Sequence, residues 1–537
     1  MELTRQVKQF AEKYKSQLQI FVCTFIAGYL IHFYMFTNKF LNYFEMNNIL
    51  TGMSFLKSDT VAQGKWMIPV LSAVSSIYSM PAVNGVMGIT FLSLLTVLVC
   101  RLLRIKNRFW GVMVGLVVMT YPSIASYFSY GVNTDVLTIA PCMAVLSVMI
   151  LDRALSRETR TKKIAGILVG VLLTGLTVGA YQPFFAIIIA GIYGVLLFEL
   201  LDKQTTTVQI VKKAAQYALI LAAGFLVYYV GLKLTLFITG ATLGDYHGVN
   251  EMTSFTLKGI AKGLVYTYVY YLRYFFTLEY ANYPILIVAN VFLTLLLIAM
   301  LFWEIFHCTE GGKDKGKKWI GTLMLCLFPL GTNATPFLMG DRVGNGVDRY
   351  MMISILFTYF ILIRLLVEFP WQELQCKIKT SVAVQWCITL GLGIVVLSGA
   401  YMCNQAYYRM EVMTNQEDTF LNRVVGRIEE TEGWSSDMPV YLANCTSIFN
   451  ENYDVEIPPF EKLTRMDGTK LEPWYNRSAI AKYMRVYLHF PVNEATNEQI
   501  KQLEKTEEYQ QMGIYPAADS IRIIDGVMVV KLNEESE

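Results

Sequence analysis

Two acids, Glu45 and Asp59, stand in a stretch of the chain, 37–84, that is otherwise poor in acid and carries Gly64-Lys65-Trp66 a few residues further on. A carboxylate held at a membrane surface beside apolar walls gains basicity and can take a proton from an acceptor hydroxyl in a group transfer. The plainer alternative is a pair of solvated loop charges. Gly64-Lys65-Trp66 offers a flexible turn, a cation and an interfacial aromatic in succession, a seat for a phosphate. Asp135 ends the polar stretch Phe128-Ser129-Tyr130-Gly131-Val132-Asn133-Thr134-Asp135. An apolar run resumes there, so Asp135 is either an acid with chemistry to perform or a cap for the free N–H groups of a helix start. In Tyr181-Gln182-Pro183, Gln182 can bond a sugar hydroxyl or only the adjacent backbone. The stretch 340–349, GDRVGNGVDR, holds Asp341, Arg342, Asp348 and Arg349. Arg342 or Arg349 can grip a phosphate with the guanidinium fork, or the Asp–Arg neighbours neutralise one another. Arg273, inside the aromatic run 266–276, is a further phosphate candidate or an interfacial anchor.

The elements that must position these residues are apolar. Of the 537 residues, 54% are hydrophobic and 16% charged, which excludes an ordinary water-soluble chain of this length. Runs of about twenty residues with almost no charge recur at 20–36, 86–100, 164–180, 183–201, 217–237, 284–306 and 351–367. Less uniform runs at 109–128, 136–151, 319–339 and 385–402 carry the Gly, Pro and Ser that membrane helices tolerate. The expectation is a mainly α, polytopic bundle of about eleven transmembrane helices. The basic segment before residue 20 is followed by no small-residue cleavage site, which favours a retained first span.

Lys and Arg fall in every second connection: Arg5, Lys8, Lys13 and Lys15, then Arg101, Arg104, Lys106 and Arg108, then Arg153 to Lys163, Lys203 to Lys213, Lys313 to Lys318, and Lys377 with Lys379. Basic residues in short loops are retained on the cytoplasmic side. That parity places the N-terminus in the cytoplasm, and 37–84, 129–135, 181–182, 241–283, 340–349 and everything after 403 on the non-cytoplasmic face of the membrane. The net charge of +3 is accounted for by topology and calls for no nucleic acid. The nine cysteines form no CxxC or Cys/His cluster, so no disulfide framework or zinc site is expected, although a divalent metal held by other groups stays open. Composition turns polar near 404. Runs at 438–443, 521–524 and 527–532 read as strands and 415–431 and 497–512 as helices, which predicts a soluble α/β domain over 404–537 beside a transmembrane domain over 1–403.

The long loop ending in Gly64-Lys65-Trp66, Tyr121-Pro122-Ser123, the turn from Tyr130 to Asp135, and Gly179-Ala180-Tyr181-Gln182 resemble, in order and spacing, the GtrII-type glucosyltransferase family. The family is similar to membrane glycosyltransferases of the GT-C class. The resemblance implies a lipid-linked donor, usually a polyprenyl-phosphate hexose such as glucose, and inverting transfer on the outer face to a surface polysaccharide or lipid-linked glycan. It implies an acid in the first outer loop as base, matched by Glu45 in Asn42-Tyr43-Phe44-Glu45, with Asp59 as the other candidate. The family's Gly-Arg-Trp is matched by Gly64-Lys65-Trp66, and its acid after the third span falls on Asp135. Lys65, Arg342, Arg349 and Arg273 are then candidates for the donor phosphate, and Asn42, Trp66, Tyr181 and Gln182 for sugar or acceptor contact. No cofactor is expected. The rival readings are a flippase or transporter for lipid-linked sugars, which would favour internal repeats, and a polysaccharide polymerase.

Overall fold

The computed structural model describes residues 12–38, 40, 42–53, 59–244, 256–307, 315–340, 346–369, 371, 378–445, 463–466, 468–469 and 477–533. The chain is mostly helical. Among the described residues eight helices are long and apolar enough to cross a membrane: α1 (Lys15–Thr37), α3 (Pro81–Leu102), α6 (Thr134–Leu155, extended by a 3-10 turn from Gly131), α7 (Arg160–Ala180), α8 (Phe185–Leu201), α9 (Thr207–Thr239), α11 (Pro284–His307) and α13 (Ile378–Glu429). A ninth candidate is the pair α4 (Arg108–Met119) and α5 (Ser123–Ser129), bent by 55°. Pro122 lacks the N–H that would continue the ladder there. The carbonyl of Met119, at the break, accepts a bond from His32 Nε2 of α1 at 2.8 Å. The other ring nitrogen then accepts from the Tyr407 hydroxyl of α13 at 2.7 Å, so one fully buried imidazole joins three helices.

Two expected spans are broken. The run 319–339 is divided into Lys315–Cys326, Phe328–Thr332 and Thr335–Met339, with Pro329 and Pro336 in the first turns of the later pieces. The run 351–367 opens with 3-10 turns and becomes α-helical only in α12 (Phe357–Glu368). Freed carbonyls find side chains: Tyr193 donates to Met324 O at 2.8 Å, Tyr268 to Cys326 O at 2.7 Å and Thr335 to Met351 O at 2.9 Å. Broken backbone inside an apolar bundle is stable only when its polar groups are met in this way. Hydropathy windows register neither break. Part of the loop expected over 241–283 is a 20-residue helix, α10 (Leu257–Phe276), packed on α11 and on Thr335–Met339.

At the end of the bundle carrying the basic loops, Lys213 of α9 is ion-paired with Asp152 of α6 and Glu199 of α8. At the opposite end α13 continues far past any bilayer: its 52 residues span roughly 78 Å at 1.5 Å each, against about 30 Å of hydrocarbon. Its last turns supply Phe420, Leu421, Val424 and Ile428 to a second apolar core, shared with a four-stranded sheet and with α14 (Arg477–Tyr487). The sheet runs β2 (Asn493–Glu494), β1 (Pro439–Ala443), β4 (Val527–Lys531), β3 (Ile521–Ile524), with β1 parallel to both neighbours and β3–β4 an antiparallel hairpin. The hairpin turn is Asp525-Gly526, both at positive φ as a tight primed turn requires. The strand expectations match closely. The run 415–431 is the end of α13, and 497–512 holds two short helices, Asn497–Leu503 and Glu507–Gln510. Helix α2 (Tyr43–Asn48), in the long loop, is short and packs directly on α14.

His32→Leu leaves the Met119 carbonyl and the Tyr407 hydroxyl buried without their partner. It is expected to cost about 2 kcal/mol, read as a lowered melting temperature in detergent, and His32→Gln, which keeps a donor for the carbonyl, should recover part of the loss.

Candidate active site

Glu45 lies in the first turn of α2, whose start is fixed by Asn42. The Asn42 side-chain oxygen accepts from the Glu45 N–H at 3.1 Å, and its amide donates to Ser129 O at 2.8 Å, so the cap also pins α2 to the end of α5. The Glu45 carboxylate is 3% exposed. It accepts from the Ser79 hydroxyl and faces the Gly131 backbone N–H. A Cβ at Gly131 would stand 2.2 Å from Glu45 Oε1 and 2.4 Å from Ser79 Oγ, so only glycine leaves room for this arrangement. Burial pushes the acid up to about 7, against the opposing pull of these hydrogen bonds. Its Oε2 is buried with no hydrogen-bond partner among the described residues.

Asp135 is the second residue of α6 and fully buried. Instead of capping its own helix it accepts from the N–H of Ser75 at 3.1 Å and from the Ser75 hydroxyl at 2.5 Å. Asn84 of α3 donates to Ser75 Oγ at 2.7 Å and accepts from the Met80 N–H at 2.6 Å. Asp135 Oδ1, like Glu45 Oε2, is buried without a partner among the described residues. The short segment from Ser75 to Ser79 therefore holds one acid at each end, on either side of the Gly131 turn. Asp59 is an exposed side chain opening the helix Asp59–Ala62 and takes no part in this network.

The Gly64-Lys65-Trp66 triplet meets the turn between α7 and α8. Lys65 donates to Gln63 Oε1 at 3.0 Å and stands 5.4 Å from the centre of the Tyr181 ring, which stacks on Tyr350 at 5.9 Å. Gln182 donates to Gln63 O at 3.1 Å and lies 3.4 Å from the Tyr228 hydroxyl. Trp66 is wedged between α7 and α9, where Cβ atoms at Gly179 and Gly231 would fall 2.6 and 2.4 Å from its ring. In this structure the ring packs against helices, and Asn42 is occupied as a cap.

Arg349, next to Tyr350, is 0% exposed. It donates to the Asn282 side-chain oxygen and, at 3.2 Å, to Glu279 O, beside Tyr280 at 5.8 Å, and its Nε has no partner among the described residues. Arg273 pairs with Glu279 at 2.6 Å and stacks over Tyr270. Arg342 and Asp341 lie outside the described residues. Sequence reasoning missed Ser75, Ser79, Asn84 and Gly131, and also Glu279 with its second partner Arg465. The serine-rich run at 72–79 was the one local signal available. Among the described residues no three His, Cys, Asp or Glu side chains converge as metal ligands do.

A bundle of long apolar helices whose non-basic end gathers two buried acids and several cations has the build of a membrane transferase. The model of the glucosyl transferase GtrII family matches residues 33–363, more than half of the chain, and the protein belongs to that family. No curated protein and no solved structure matches it. The matched range contains both acids, Lys65, Arg273 and Arg349, and ends before α13 and the sheet.

Two outcomes follow from the geometry. Native Glu45 holds its proton to about pH 7, whereas in the unfolded chain it releases it near pH 4.5. The stabilisation of the native state by that proton is complete below about 4.5 and lost as pH rises through 7, a difference on the order of 3 kcal/mol. Glu45→Gln should therefore melt higher than the wild type at pH 8 and converge with it at pH 5. Gly131→Ala should displace the carboxylate from Ser79 and lower glucosyl transfer at least tenfold while the protein still inserts and folds, as circular dichroism and size-exclusion profile would report.

Proposed function

We propose that this glucosyltransferase is a GT-C enzyme that takes glucose from a polyprenyl-phosphate donor and passes it, with inversion, to a surface polysaccharide or lipid-linked glycan on the non-cytoplasmic face of a bacterial plasma membrane. The observation that carries the reading is the pair of buried acids, Glu45 and Asp135, tied to one segment and each with an oxygen left without a partner. The alternating basic loops support the orientation, with 1–403 as the membrane domain and 404–537 as an outer domain.

An acceptor hydroxyl gives its proton to Glu45, and its oxygen attacks the anomeric carbon. The bond from that carbon to the phosphate oxygen breaks, and the polyprenyl phosphate departs with the electron pair. A raised carboxyl affinity for protons suits a base working near neutrality. Asp135, across the Gly131 turn, is the second candidate and can orient the acceptor. A phosphate leaving group needs positive charge close by, which Lys65, Arg349 and Arg273 can supply. Tyr181 and Gln182, beside Lys65, can meet the sugar.

With radiolabelled polyprenyl-phosphate glucose and a glycan acceptor, Glu45→Gln should lower the rate by about 100-fold or more, and Asp135→Asn should also lower it. Wild-type transfer should rise with pH through about 7 and level off above, since the ionised acid is the active form. Wild-type rates in both variants, correctly inserted, would overturn the mechanism. Movement of the lipid-linked sugar across a vesicle membrane with no covalent product would mark a carrier instead.

A further inference from the structure

The Arg273–Glu279 pair has a third member from far along the chain. Arg465 donates from Nε to the other Glu279 carboxylate oxygen at 2.9 Å, while Arg273 Nη2 holds the first at 2.6 Å. Arg349 reaches the same residue through its backbone carbonyl, and its own N–H lies 3.5 Å from Arg465 O. Arg465 arrives on a strap that buried Arg409 of α13 fastens: its guanidinium donates to Leu463 O and Thr469 O at 3.2 Å each and to Thr469 Oγ1 at 2.6 Å. Thr464 adds a bond to Glu279 O. Three guanidiniums meet there, and among the described residues Glu279 and Asp348 are the neighbouring carboxylates, which leaves one positive charge over.

Glu279 presents two oxygens to two guanidiniums, the same pattern that the two non-bridging oxygens of a phosphodiester would present. Arg273 and Arg465 are held in place yet keep 39% and 32% of their side chains exposed, so a ligand can reach them. An apolar groove of about 500 Å³ runs along the same helix, lined by Leu272 and Phe276, which flank Arg273 in α10, by Val291, Leu295 and Ile298 of α11, and by Phe328. A charged end beside an apolar slot is complementary to one kind of molecule, a lipid bearing an anionic phosphate.

We propose that the strap from the C-terminal region contributes Arg465 to a recognition site for the phosphate of a polyprenyl-linked lipid, with Glu279 holding Arg273 and Arg465 in register until the phosphate engages them and with the polyprenyl chain in the α10–α11 groove. The proposal rests on the donor class put forward above, and it extends the donor site to a residue beyond the range that the family model matches. Arg465 acts on binding rather than on the chemical step.

The test is binding of polyprenyl phosphate to the full chain in nanodiscs, with inorganic phosphate and phosphatidylglycerol as separate probes. Arg465→Met should weaken polyprenyl phosphate binding about tenfold or more, the loss of one charge-assisted contact, and raise KM for the lipid-linked donor with little change in kcat. Arg465→Lys should restore part of the affinity, which a purely structural role for the fork would not allow. Leu295→Trp, which fills the groove, should weaken the lipid phosphate and leave inorganic phosphate untouched. Unchanged affinity in Arg465→Met with unchanged melting temperature would overturn the proposal, as would equal competition by phosphatidylglycerol, which would mark the groove as an ordinary lipid contact. If Arg465→Met alone fails to fold, Arg465→Lys and Leu295→Trp decide by the same two readouts. Because binding is read without turnover, Arg465-dependent binding in a protein that transfers no glucose would sink the catalytic reading alone, and transfer indifferent to Arg465 would sink this one alone.

Discussion

Everything at the loop-rich end of this molecule depends on burying two carboxylates beside one turn. Taking an ionised acid out of water costs several kcal/mol, and each hydrogen bond to the charged form returns about 1.5–3. Asp135 receives a backbone N–H and a hydroxyl from Ser75, and Glu45 receives a hydroxyl from Ser79 and faces the Gly131 N–H. For Glu45 desolvation still wins, and the acid sits near neutrality. The surrounding choices serve this placement. Asn42 fixes the start of α2, Gly131 keeps clear of the carboxylate, and Asn84 orients Ser75.

The same end of the bundle is where the backbone departs from regular helix. The α4–α5 bend at Pro122, the pieces between Lys315 and Met339, and the 3-10 turns from Arg349 into α12 all deliver polar groups that an unbroken span would keep in its own ladder. Each break is tolerated because a neighbour answers it: His32 at Met119, Tyr121 at Arg349 O, Tyr127 at Tyr350 O. Tyrosine serves well here, since its ring packs in the apolar bundle while its hydroxyl reaches one orphaned carbonyl. Irregular backbone and candidate chemistry coincide because both require polar groups that the bundle itself satisfies.

Composition and periodicity in the sequence disclosed the helical bundle, most of the long apolar helices and three of the four strands. They overstated continuity at 319–339 and 351–367, because a hydropathy average is blind to a proline that stops a ladder and to the side chain that repairs it. At the site, Glu45 and Asp135 were legible as acids where acids are scarce. Their partners were not, since Ser79 lies 34 residues from Glu45 and Ser75 lies 60 from Asp135, and a serine carries no mark of what it will bond. Arg465 was further out of reach, 186 residues from Glu279 on a strap with no motif. Asn42 and Trp66 were singled out for sugar contact, and they are engaged in capping α2 and in packing α7 against α9.

The C-terminal region lies beyond the range that defines the family match, yet it shares the environment of the first-loop acid. Met46, the neighbour of Glu45, is buried in the apolar core formed by the end of α13, the sheet and α14. Lys482 of α14 donates to Asn47 O at 3.1 Å, so α14 grips α2 by its backbone. Tyr487, at the end of α14, is pushed up to about 12 by burial first and by the Glu45 charge second, which puts the phenol within electrostatic reach of the acid. The C-terminal region therefore borders the first-loop acid as well as the bundle does. A six-residue helix is too short to hold its place unaided, and α2 borrows its rigidity from both sides, through Asn42 from the bundle and through Met46 and Lys482 from α14. The surroundings of Glu45 accordingly draw on both cores, through Ser79 and Gly131 on one side and Tyr487 on the other.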